Sequence, residues 1–463
     1  MKRRTFLRAT AGTVAVAALP PLSRRAAAEE IVNVTLRSSP GFGGLAFNGT
    51  IPGPLLQVVH GQRIRVRYVS NVDVPTSIHW HGMLLPNAMD GVAGVTQRPV
   101  RRGETFVYEF APGPPGTRWY HDHAFRFAAA RGLFGAFIVH DRFEDPADRD
   151  YALVFHDVPD WRSFDAALQG ISGAPMTDPM GASRDMEPPP KMGDEVAYVA
   201  HRINGASYPS SAKYPAQVGE RVRLRIVNAS PTQTRYVALA GHEMVVTHAD
   251  GNRLPRPVTV DVLRVAPGER YDAMVEFRAP GAFLLHGISA DPREMRQQAV
   301  LFYTAGKENA TPQAAPAMLD GLRVSTYETL GGAIAEAVTE TGPAHEFVLG
   351  GGGWDNPRWT IDDRIWPHTP KLLVRKGERV TVRFRNAGDM EHPMHLHGHL
   401  FELTHVNGTP LARPLRKDGA LIGAKGSATW RFVADAQPGR WMLHCHNDVH
   451  MDGGMMTEVV YRA

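Results

Sequence analysis

Pro438 to Met456 reads PGRWMLHCHNDVHMDGGMM, and its first nine residues have two earlier counterparts, PGTRWYHDH at 115–123 and PGAFLLHGI at 280–288. Upstream of these, GQRIRVR at 61–67, GERVRLR at 219–225 and GERVTVR at 377–383 also match, their opening glycines 158 residues apart each time. Repeats at that period mean duplicated domains, because solenoid units are far shorter. Each of these segments is a turn glycine followed by alternating apolar and charged residues, the pattern of a half-buried strand. With 45 glycines and 36 prolines besides, the chain reads as many short strands joined by turns, an all-β protein made of three copies of one domain. The expected limits are 29–145, 150–310 and 340–463, after a separate N-terminal segment 1–28. The connection Gln169–Met192 and the longer stretch Ala305–Ala344 read as linkers, the second one crossing a surface.

The same stretch carries chemistry. Cys445 is the only cysteine in the chain; His444 and His446 flank it, His450 follows at five residues and Met455 at ten. A thiolate, an imidazole and a weak thioether, joined by a second imidazole from elsewhere, suit a trigonal electron-transfer copper with a long axial Met. On an extended strand successive side chains alternate, so His444 and His446 face away from Cys445 and can serve another metal. A buried cysteine among incidental histidines is the plain alternative. Three more His-x-His pairs weigh against it. His79 and His81 lie 18 and 20 residues beyond Gly61, and His395 and His397 lie at the same offsets beyond Gly377. PGTRWYHDH adds His121 and His123. Four pairs matched between the first and third copies point to eight imidazoles converging between two domains, more ligands than a closed four-ligand zinc site needs and suited to a copper cluster. In the middle copy the offsets give Val237 and Leu239, and His286 stands alone with Gly287 and Ile288 in place of Cys445 and His446. His286 therefore reads as structural, and the middle domain as a spacer and pocket wall.

Charge narrows the partners. The formal balance of +4 is owed to Lys2, Arg3, Arg4, Arg8, Arg24 and Arg25; without those six, 45 basic residues face 47 acidic ones. Nothing in that balance calls for nucleic acid or an anionic membrane. Arg3-Arg4-Thr5-Phe6-Leu7, an apolar run from Ala9 to Leu19 and Ala26-Ala27-Ala28 form a twin-arginine export pattern, which places the protein in the periplasm or outside the cell. No other apolar run reaches membrane-spanning length. A lone thiol in an oxidising compartment is expected to be held by a metal. A monomer is expected.

IHWHG, WYHDH, HPMHLHGH and HCHNDVHMDGGMM resemble, in order and spacing, the four copper motifs of the three-domain multicopper oxidases, the family of laccases, ascorbate oxidase and bacterial cuprous oxidases. The resemblance covers most of residues 30–463 and implies three consecutive cupredoxin-like Greek-key β-sandwiches holding four copper ions. Carried over by position, a type 1 (blue) copper takes His392, Cys445 and His450 with Met455 axial. The type 2 copper takes His79 and His395. The two type 3 coppers take His81, His121 and His446, and His123, His397 and His444. The implied activity is one-electron oxidation of a small-molecule reductant, with electrons passing through Cys445 to reduce dioxygen to water. The resemblance also implies proton-supplying acids at Asp90 and Asp448. Bacterial copper-tolerance oxidases carry Met-rich Cu(I) insertions, whereas this chain has only Met176, Met180, Met186 and Met192, loosely spaced. A laccase-like oxidase of phenols and aromatic amines is thus the expected activity, with a cuprous oxidase as the alternative. A copper-storage protein or a division scaffold of the same fold is the non-enzymatic alternative. His399, two residues past His397, is expected on the same strand face as a partner to the cluster.

Overall fold

The computed structural model describes residues 31–41, 44–124, 129–163, 196–288, 292–315, 318–332, 344–352 and 358–462. Residues 1–28, expected to direct export, and the Met176–Met192 stretch lie outside the described residues.

The strands form six sheets, two for each copy of the repeat. In the first copy one sheet runs Gly44–Phe47, Ile31–Gly41, Arg63–Ser70, Thr105–Phe110, and the other Leu56–Val59, Phe134–His140, Gly116–His121, His79–His81. Between them Trp80 meets Tyr108 and Tyr120 at ring-centroid distances of 5.3 and 5.8 Å. The middle and third copies each pair a six-stranded with a five-stranded sheet. All three share one wiring. The strand after the repeat glycine runs parallel to the first strand of its own copy, as in Val34↔Val66, Leu224↔Tyr151 and Phe347↔Phe384. In the opposite sheet the last strand runs parallel to an early short one. Neighbours that are distant in sequence make these Greek-key sandwiches, the three cupredoxin-like domains that the repeats imply.

Alternation explains the outer copies. In Arg63–Ser70 the arginines point outward while Ile64, Val66 and Tyr68 are fully buried. Arg379–Asn386 repeats the pattern with Val380, Val382 and Phe384 inward. Gly61, Gly219 and Gly377 turn into these strands at φ of 97°, 91° and 83°, a conformation that glycine adopts without steric cost.

The middle copy departs from the half-buried pattern. Its Arg223 and Arg225 are buried along with the apolar residues, because this sheet meets the first domain. Arg225 donates to Asp150 at 2.8 Å and lies 3.3 Å from Asp272, which in turn accepts from Thr117 of the first domain at 2.5 Å. The stretch expected to cross a surface also turns inward in part. Thr326 caps a short helix, Tyr327–Gly331, and Tyr327 donates to Glu269 at 2.7 Å while accepting from the Leu421 amide at 2.6 Å. The linker is thereby stitched between the middle and third domains.

Candidate metal centre

Strand register brings the histidines together. His79 pairs with His121 in one sheet, and His395 with His444 in another. The C-terminal segment is extended only through Cys445; Asn447 then caps a helix at Asp448–Asp452, its side chain accepting from the Val449 and His450 amides. That turn, rather than continued strand, swings His450 back beside Cys445.

Among the described residues five groups of side chains, each with ligand atoms within 4.8 Å of one another, result: His392, Cys445 and His450; His79, His81 and His395; His81, His121 and His446; His123, His397 and His444; and His79, Asp90 and His397. In the first, Cys445 Sγ lies 3.5 Å from His450 Nδ1 and 3.9 Å from His392 Nδ1, and those two nitrogens are 2.9 Å apart. Met455 is fully buried, and its backbone joins the Cys445 amide and the His450 carbonyl. Trp359 packs over the His450 ring at 3.7 Å, a contact that the sequence motifs do not announce.

The other groups share one electrostatic design. His79, His121, His395 and His444 each direct Nδ1 at a backbone carbonyl, of Asp90, Asp122, Asp418 and Cys445 respectively, at 2.8–2.9 Å. His397 directs Nδ1 at Asp90 Oδ2, 2.9 Å away. A carbonyl only accepts, so Nδ1 carries the proton and Nε2 presents a lone pair. The Nε2 atoms then face one another: His79 and His395 at 3.5 Å, His397 and His444 at 3.0 Å, His123 and His444 at 3.4 Å. Those of His121 and His446 are buried with no hydrogen-bond partner. Burial first, then neighbouring imidazoles, holds His121, His397, His444 and His446 well below the ordinary histidine range, and burial holds His123 down to about 3. Converging neutral lone pairs in a buried site repel one another unless a cation sits among them. The donor set fits copper, for which imidazole and thiolate are suited ligands.

Of the two acids, Asp90 is buried and joins both outer domains: its carbonyl takes His79 of the first and its carboxylate His397 of the third. Asp448 lines a cavity of about 310 Å³ that reaches His123, His444 and His446. Burial, then the nearby Asp452, raises Asp448 well above the usual carboxylate range, a shift that favours its protonated form. His399 departs from expectation. The strand ends at Leu396, the chain turns at Gly398 with φ of 64°, and His399 reaches back to the His397 carbonyl at 2.9 Å and to the Tyr461 hydroxyl at 2.7 Å. His286 of the middle domain has both ring nitrogens engaged, one at the Gly287 carbonyl and one accepting from the Ala315 amide at 3.1 Å.

A further layer of charge lies beneath the histidines. Asp418 is fully buried, 3.2 Å from His81 Nε2 and 3.5 Å from His395 Nδ1. Burial alone would raise its pKa; Arg270, in a bidentate contact, carries it well below the carboxylate range. The only hint in the sequence is the Lys417-Asp418 pair directly before the apolar strand Gly419–Ile422.

Comparison with known proteins agrees with this geometry. The chain matches the multicopper oxidase family over residues 32–144, 181–306 and 339–463. It is 34% identical to multicopper oxidase MmcO of Mycobacterium tuberculosis, across 90% of this chain and 83% of that protein. The chain belongs to the multicopper oxidases. Within that family it is also 26% identical to a copper resistance protein A homolog of Pseudomonas syringae pv. tomato, across 90% of this chain and 88% of the relative. The solved laccase of Botrytis aclada shares the fold at a TM-score of 0.72 and 22% identity, covering 93% and 87% of the two chains.

Proposed function

We propose that this multicopper oxidase takes single electrons from phenols or aromatic amines and delivers them to dioxygen, which is reduced to water. The carrying observation is the position of Cys445: its sulfur meets His392 and His450, while His444 and His446 on either side of it belong to two different histidine groups. In this reading His392, Cys445, His450 and Met455 would hold a blue copper; His79 and His395 would hold a type 2 copper; and His81, His121, His446 and His123, His397, His444 would hold a type 3 pair. Bound copper supplies the one-electron chemistry at the first site and the four-electron reduction of dioxygen at the cluster. Cys445 offers the through-bond path between them, since His444 and His446, each bonded to it along the backbone, belong to the two type 3 groups.

The remaining residues set protons and orientation. Four protons accompany four electrons in converting one dioxygen to two waters. Asp448, whose burial favours the protonated carboxyl, lines the cavity beside His123, His444 and His446 and is the proton donor in this reading. Asp90 keeps the Nδ1 proton of His397 in place and so keeps its Nε2 free to ligate. The neutral organic donor is favoured because the carboxylate next to His392, Glu391, is already engaged by Arg264 at 2.6 Å. The cuprous alternative draws support from the copper resistance relative. Twin-arginine export of residues 1–28 and the domain limits 29–145, 150–310 and 340–463 belong to the same proposal.

Side-by-side rates on Cu(I) and on a dimethoxyphenol, with dioxygen uptake measured and residues 176–192 present or deleted, test it. Turnover of the phenol that survives the deletion is expected. Turnover of Cu(I) alone, abolished by the deletion, overturns the organic-substrate reading. Colourless protein that binds copper without dioxygen uptake indicates storage instead.

A further inference from the structure

The middle domain contributes none of the ligands, yet its residues lie directly against them. Arg270 opens the strand Arg270–Glu276 and is fully buried. Its Nη1 donates to Asp418 Oδ1 at 2.7 Å and its Nη2 to Asp418 Oδ2 at 2.5 Å, while Nε donates to the Thr117 carbonyl of the first domain at 3.3 Å. One guanidinium thus joins all three domains. Nη1 also holds the Gly268 carbonyl at 3.0 Å. A Cβ at Gly268 would lie 3.0 Å from His446 and 3.2 Å from His81, and one at Gly82 would lie 2.4 Å from both Arg270 Nη2 and Asp418 Oδ2. The clamp and the imidazoles are packed with no slack between them.

We propose that Arg270 is a positioning residue for the histidine cluster: by gripping both oxygens of Asp418 and the Gly268 turn, the ligand-free domain sets where His81, His395 and His446 stand. This rests on the copper reading above. A planar fork gripping a carboxylate at both oxygens fixes its rotation as well as its place, which a lysine ammonium, a single point charge, does not. Asp418 in turn meets His81 from the first domain and His395 from the third. Arg118 stands 3.5 Å from Asp418, and Lys417 pairs with Asp250 and Glu269 at 2.8 and 3.0 Å, so three buried cations answer three buried carboxylates around the clamp.

The test uses the full chain with copper supplied against a competing chelator, reading copper bound per chain, the blue absorption and the melting temperature of the metal-free protein. Arg270→Lys keeps the charge and loses the fork. It is expected to retain the blue band, which reports an intact third domain, while affinity for the cluster coppers falls about 10–100-fold, the range for lost outer-shell partners. A second variant, Arg270→Met with Asp418→Leu, removes both charges together, an exchange that buried ion pairs tolerate. It is expected to melt near the wild-type temperature and still bind cluster copper weakly. Wild-type cluster affinity in either variant, or loss of the blue band in Arg270→Lys, overturns the positioning role. Wild-type protein that takes up no cluster copper overturns the reading of the site, and this inference with it.

Discussion

Asp90→Ala removes one hydrogen bond in the cluster, to His397, and with it a longer carboxylate contact, Oδ1 to His79 Nδ1 at 3.4 Å. Asp90 and His397 are 1% and 0% exposed, and the bond from His397 Nδ1 to Asp90 Oδ2 is 2.9 Å. Removing the carboxylate leaves a buried N–H without its acceptor, and a hydrogen bond to a charged group contributes about 1.5–3 kcal/mol. At about 1.4 kcal/mol per factor of ten, affinity for the copper assigned to His123, His397 and His444 should fall roughly 10–150-fold. His79 keeps its hydrogen-bond partner, because that partner is the Asp90 backbone carbonyl. The blue site contains neither residue. Chelator competition should therefore show weakened cluster copper while the visible band is unchanged. Equal copper affinity in variant and wild type would refute the orienting role of Asp90, and a lost blue band would refute the independence of the two sites.

Three further outcomes are expected. Cys445→Ser should abolish the blue absorption and substrate oxidation while leaving far-ultraviolet circular dichroism unchanged, and retained colour would contradict the ligand assignment. His286→Ala should leave copper content and turnover unaltered and cost about 1–3 kcal/mol of stability through the orphaned Ala315 amide, read by denaturant melting. In metal-free protein, burial holds His156 and His123 near 3 in the fold against about 6.5 unfolded. Both states are neutral above pH 6.5. Below it the unfolded chain binds the protons first, so stability should fall as pH drops from 6.5 toward 3, each such group adding up to about 1.4 kcal/mol per pH unit. A denaturation midpoint flat across that window would contradict the buried, neutral state of these rings.

The clustered histidines are legible because they recur at fixed offsets within a duplicated strand pattern, and strand register turns those offsets into neighbours: His79 beside His121, His395 beside His444. What stayed hidden depends on which outer face of a sandwich meets another domain. Arg223 and Arg225 look in sequence like Arg65 and Arg67, yet the former are buried and the latter exposed, because only the middle sheet is covered. Asp418 and Arg270 escaped notice for the same reason, as did Tyr327, which enters from a linker. Strand alternation stops applying where the chain turns: at Gly398, which takes His399 off the strand face, and at the Asn447 cap, which brings His450 back beside Cys445 as its spacing predicts.

The contacts that close the cluster span 316 residues from His79 to His395 and 321 from His123 to His444. Contacts so far apart in sequence form late in folding, since the loops they close carry the largest entropy. A ribosome therefore finishes the first repeat, with four of its imidazoles in place, long before any opposing ring exists. The shared centre closes only once the strand Arg440–Cys445, which carries His444, has emerged to meet His123 and His397.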